Sequence, residues 1–136
     1  MKKLLIKQNN TLSAKIILLL LFPFLLLSCE GSDTYQGKWK ALDKEGNKLE
    51  IEFFPKKLTL LDSLGKSINY EYTQNSIESD NSIKTYGITL SDGRIYQIYF
   101  PKKDCSIGLI LDENDNQIFT LSRDTYVDFD EIYKLY

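Results

Sequence analysis

From Lys48 to Arg123 the chain places apolar residues at every second position, and turn chemistry breaks the runs at short intervals. Leu49, Ile51 and Phe53 alternate with Glu50 and Glu52 between Lys48 and Phe54. That period puts them on one face of a half-buried strand. Pro55 stops the strand, because proline cannot donate to a ladder. Leu58 to Leu61 makes the next strand and Asp62-Ser63-Leu64-Gly65 the next turn, after which Ile68, Tyr70 and Tyr72 alternate with Asn69, Glu71 and Thr73. Gln74 to Ser82 is polar and reads as a short weak strand with a loop. Alternation returns from Ile83 to Leu90 and from Arg94 to Phe100, across Ser91-Asp92-Gly93. Asp-Gly suits the positive φ angles of a type I′ hairpin turn. Ile107, Leu109 and Leu111 form one more strand, Asp112 to Asn116 turns it, and Gln117 to Arg123 pairs back.

Upstream, Gly37-Lys38-Trp39 opens the first strand and Asp43 to Asn47 turns it. Downstream, Phe129, Ile132, Tyr133 and Tyr136 fall at helical spacing, and Asp128 with Glu131 resembles a capping box. A short C-terminal helix is the favoured reading of that tail, with a strand through Val127, Phe129 and Glu131 as the alternative. Phe54-Pro55-Lys56-Lys57 recurs as Phe100-Pro101-Lys102-Lys103, each time between an alternating strand and a strand that ends in aspartate. Two similar meanders in series predict an all-β domain, a small antiparallel barrel or sandwich of about eight strands. Closure into a barrel would also remove exposed edges.

The first 29 residues carry a different message. Lys2, Lys3, Lys7 and Lys15 form a basic leader, and the apolar run from Ile16 to Leu27 ends in Leu26-Leu27-Ser28-Cys29. The run is well short of the ~20 residues that cross a bilayer as a helix. It reads as an export signal cut between Ser28 and Cys29, where a small residue admits the peptidase and the thiol of Cys29 takes a diacylglyceryl chain. The expected organisation is signal peptide 1–28, lipidated tether 29–34 and β domain 35–136. Two or more acyl chains hold a protein stably on a membrane. The location that follows is the cell envelope, anchored in the outer membrane and facing the periplasm.

All four leader lysines leave with the signal, while all 19 acidic residues follow it, so 13 basic residues face 19 acidic ones at a net charge of −6. A domain this acidic is a poor partner for nucleic acid. Cys105 is then the one remaining thiol and reads as a small, buried apolar residue, with an intermolecular bridge as the alternative.

The lipobox, the brief polar tether, the Gly-x-Trp word of Gly37-Lys38-Trp39 and the successive hairpins resemble short lipoproteins of Bacteroidetes-type bacteria with a lipocalin-like β-barrel. The resemblance implies that Trp39 closes one end of the barrel as a core residue. The domain is shorter than a true lipocalin and shows no second or third lipocalin motif, which leaves open whether the barrel encloses a cavity or fills itself.

With no histidine, the chain lacks the base of Ser-His-Asp and Cys-His catalysis and the commonest zinc ligand. Asp112, Asn114 and Asn116 have the alternate oxygen spacing of a calcium loop, but Gln117 stands at the glycine position and Arg123 at the twelfth. A plain polar hairpin fits better. No catalytic residue, cofactor or metal is expected. The remaining signal is aromatic. Tyr70, Tyr72, Tyr96 and Tyr99 lie on neighbouring strands and are candidates for a binding surface. Three functions are open. The first is a non-enzymatic module that docks an envelope protein, an accessory of a secretion or envelope assembly. The second is a carrier of a small apolar ligand or glycan, which needs an apolar cavity of roughly 300 Å³ or more. The third is an inhibitor of a basic lytic enzyme, using loops such as Ser91-Asp92-Gly93-Arg94.

Overall fold

The computed structural model describes residues 32–134. Ser28 and Cys29, and with them the expected signal and lipidation site, lie outside the described residues. A compact unit begins at Thr34. It is a closed antiparallel barrel of eight strands: β1 (Gly37–Asp43), β2 (Lys48–Phe53), β3 (Lys57–Asp62), β4 (Ser67–Asp80), β5 (Ile83–Leu90), β6 (Ile95–Phe100), β7 (Ile107–Asp112) and β8 (Gln117–Ser122). Each strand pairs with the next, and β1 closes the ring on β8 through Lys40↔Ser122 to Asp43↔Phe119. The all-β reading is correct, and of its two forms the molecule takes the barrel.

In such a meander the odd-to-even turns share one end. All four here have the same form: a hydrogen bond from the third loop residue to the last residue of the strand, with that third residue at positive φ. Gly46, Gly65 and Gly93 fill the position at φ 84°, 84° and 93°, and Asp115 at 62°. Asp43, Asp62 and Asp112 accept the backbone N–H groups two and four residues on, at 2.8–3.0 Å. These are Asx turns, which hold the chain in the turn before the strands pair. The oxygens of Asp112 go to Asn114 and Asn116, as a polar hairpin requires.

Two local expectations need correction. The turn at Ser91-Asp92-Gly93 is not type I′, since only Gly93 has positive φ. It is a three-residue turn with a glycine bulge. The turn with two consecutive positive φ angles is Asn81-Ser82, at 51° and 70°, inside the stretch expected to be largely loop. That stretch is strand: β4 runs on to Asp80, paired with β5 from Ser76↔Gly87 to Asp80↔Ile83 beyond a bulge at Asn75. Its residues Asn75 to Asp80 are all exposed, so no buried face writes an alternation there.

The inward residues make one core, and its half nearest the chain entry is an aromatic plug. Tyr35 meets Phe53 and Tyr86 edge to face, with centroids 5.3 and 5.1 Å apart, and Trp39 and Tyr86 both pack on Phe100. Their polar tips are bonded: Trp39 Nε1 donates to Tyr35 O, Tyr35 Oη to Gln74, Tyr86 Oη to Thr34 and Tyr72 Oη to Phe54 O. Outside the barrel, helix α1 (Phe129–Lys134) and Val127 cover Leu109, Tyr99 and Ile107, and Thr120 Oγ1 donates to Val127 O. The tail is therefore helical. Tyr99 points away from the core but is covered by this segment.

Candidate functional site

The plug fills only half of the interior. Toward the four odd-to-even turns lies a cavity of about 250 Å³. Phe53 and Leu58 come from the entry ends of β2 and β3 and form its floor, while Leu60, Ile110 and Phe119 contribute to its walls. Its volume falls a little short of the roughly 300 Å³ expected of a carrier, which restricts an occupant to one smaller than a drug-sized ligand. A cavity of about 150 Å³ takes a benzene, so this one suits an occupant of about ten non-hydrogen atoms.

Tyr70, Tyr96 and Arg94 stand nearest the hairpin end, and Arg94 is the one charged residue lining the space. The Arg94 side chain is fixed from several sides. Nε donates to Asp92 Oδ2 at 2.9 Å, Nη2 lies 2.8 Å from the same oxygen, and Nη1 donates to Tyr96 Oη at 3.3 Å. Its guanidinium carbon sits 5.0 Å from the Tyr70 ring centroid and 6.0 Å from that of Tyr96. Hydrogen bonding from Arg94 holds the Asp92 carboxyl below its usual range, and the same contact pushes the guanidinium up. Both side chains of the pair remain about half exposed, at 49% and 47%.

The four candidate tyrosines do not share a surface. Tyr70 and Tyr96 meet at the mouth of the cavity, Tyr72 is 3% exposed within the plug, and Tyr99 lies under the C-terminal segment. An exposed aromatic patch built from all four is thus corrected to a two-tyrosine rim. Trp39, 1% exposed, is a core residue as expected. Cys105 is a free, half-buried thiol packed on the core, and burial pushes its pKa up. Arg94 is the site residue that strand patterning alone overlooks. Its signal is parity: it shares the even positions of Tyr96, Ile98 and Phe100, which all face inward. Among the described residues no group of acidic, histidine or cysteine side chains could hold a metal ion.

Compared with known proteins, the chain matches no family model, no curated sequence and no solved structure.

Proposed function

We propose that this protein is a lipid-anchored, lipocalin-like binding protein of the cell envelope that carries a small, largely apolar ligand in the open half of its barrel. The observation that carries this is the division of the interior: an aromatic plug where the chain enters, and an apolar cavity of about 250 Å³ toward the hairpins. A core of this length gains from being filled, since voids cost stability. A void lined by Ile51, Leu60, Ile88 and Phe119, with two hydroxyls and a guanidinium at one rim, has the make-up of a ligand pocket. Its lining offers apolar contact and, at the rim, hydrogen bonding.

Acylation of Cys29 would hold the chain on the membrane by its amino terminus. With Tyr72 and Tyr99 covered, Tyr70 and Tyr96 are what is left of the aromatic surface on which docking of an envelope protein would rest.

The test uses the full chain in phospholipid nanodiscs, with empty discs as blank. 1-Octanol should raise the unfolding midpoint. Leu60→Trp, which fills the cavity from its wall, should abolish that rise while the variant still melts cooperatively. Failure of 1-octanol to shift the wild-type midpoint would remove the carrier reading. Mass spectrometry of the native protein should find acyl groups on an amino-terminal Cys29; an intact Met1 would remove the anchor.

A further inference from the structure

We infer that the pocket's ligand is a medium-chain monocarboxylate, with its chain among the apolar walls and its carboxylate on the guanidinium of Arg94. This rests on the small-ligand reading above and adds the head group. Three features lead to it.

The first is charge. Among the described residues Arg94 is the one charged residue in the lining, so it is the group there that an anionic head group can pair with, and a cationic occupant meets it at the rim. The second is preorganisation. The Tyr70 ring, 5.0 Å from the guanidinium carbon, and the hydroxyl of Tyr96 hold the guanidinium at the mouth, a contact that arginine makes more often than lysine. A guanidinium has five N–H donors. The bonds to Asp92 and Tyr96 use three of them. The pair with Asp92 is half in water, and exposed ion pairs of this kind contribute little. A second carboxylate can therefore share or displace Asp92 at small cost, and gains charge-assisted hydrogen bonds in a partly desolvated mouth.

The third is the rim, which sets the charge number. Against Lys44 and Lys66, the turns at this end of the barrel carry Asp43, Glu45, Asp62, Asp112, Glu113 and Asp115. Their repulsion is screened beyond about 8 Å at physiological salt, whereas contact with Arg94 is not. A single negative charge against Arg94 is tolerated there, while the double charge of a phosphate monoester is penalised. Cavity size completes the description, since an eight-carbon acid has about ten non-hydrogen atoms.

The experiment titrates the full chain in nanodiscs with [1-13C]octanoate, [1-13C]1-octanol and octyl phosphate, read by NMR against empty discs. Octyl phosphate should bind more weakly than octanoate. Arg94→Gln should weaken octanoate about tenfold more than it weakens 1-octanol, and a cooperative melt reports that the variant is folded. Asp92→Asn should tighten octanoate, since it removes the competing anion. If Arg94→Gln leaves octanoate unchanged, or weakens both probes alike, or if octyl phosphate binds as tightly as octanoate, the head-group inference is overturned and the pocket reading stands. If neither octanoate nor 1-octanol binds the wild type, the pocket reading itself falls.

Discussion

The guanidinium of Arg123 lies flat over the indole of Trp39, 3.6 Å from the ring centroid. The same side chain donates to the carbonyls of Lys38, Gln36 and Thr34 at 2.9, 2.8 and 3.3 Å. One residue after β8 thereby caps the buried tryptophan of β1 and collects the carbonyls of the segment leading into the barrel. Gly37 makes the approach possible. Its φ is 98°, and a Cβ built there would sit 3.0 Å from Arg123 Nη1. The Gly-x-Trp word therefore has a local physical meaning: glycine clears the path for the arginine that seals the tryptophan.

Arg123→Met should keep the apolar cover on Trp39 but lose three hydrogen bonds. The side chain is more than one-third exposed, so the loss is discounted for solvent and expected at about 1–2 kcal/mol. Gly37→Ala combines the left-handed backbone with the crowding of Arg123 and should cost about as much. Urea unfolding measures both, and the double variant should lose less than the sum because the two positions act on one contact.

Gly108→Ala probes the packing of the plug. The added methyl would stand 3.0 and 3.2 Å from ring carbons of Phe100, which is fully buried, and 3.4 Å from the Tyr99 carbonyl. Overpacking of this kind costs about 1–3 kcal/mol. An unchanged denaturant midpoint would mean that Phe100 has room to move.

Alkali should unfold the barrel from the plug. Burial raises the pKa of both Tyr35 and Tyr72 above the ordinary phenol value. Unfolding lets these groups ionise near pH 10, so their contribution is complete below that pH and is lost as pH rises toward the folded-state values. Tyr35→Phe should move the alkaline unfolding midpoint upward at some cost at neutral pH, where its bond to Gln74 is lost. Circular dichroism against pH reads both arms.

Acid acts at the other end. Hydrogen bonds from the Asn116 side chain and from backbone amides hold Asp112 below its ordinary range. Its contribution is therefore present above the usual aspartate pKa of about 3.9 and disappears as pH falls through the lower folded-state value. Asp112→Asn should flatten the acid limb of a stability-against-pH curve while leaving the β7–β8 hairpin formed, which hydrogen exchange of the Asn116 amide would report.

Where one face of a strand is buried and the other is wet, the barrel was legible in the order of residues. Leu49, Ile51 and Phe53 in β2, and Tyr96, Ile98 and Phe100 in β6, carry that alternation and face the core. The far half of β4 was not legible, because Asn75 to Asp80 are exposed throughout and only pairing with β5 fixes them as strand. The helix could be read from Phe129 and Ile132, whose spacing matches a surface that already existed on the outside of β6 and β7. The aromatic surface could not be read. Strand parity places tyrosines in or out but does not tell whether a tail will cover the outer ones, as it does Tyr99.

By itself, then, the sequence determined the all-β class, the strand count and most of the turns, because period and turn chemistry are local properties of the chain. Only the tertiary structure decided that the interior is half plug and half cavity, that Arg94 stands between Tyr70 and Tyr96, and that Arg123 reaches back to Trp39. The reach of Arg123 to Trp39 depends on closure of β1 against β8, which brings together side chains some eighty residues apart, and the other two depend on how neighbouring strands pair, which local patterning does not encode.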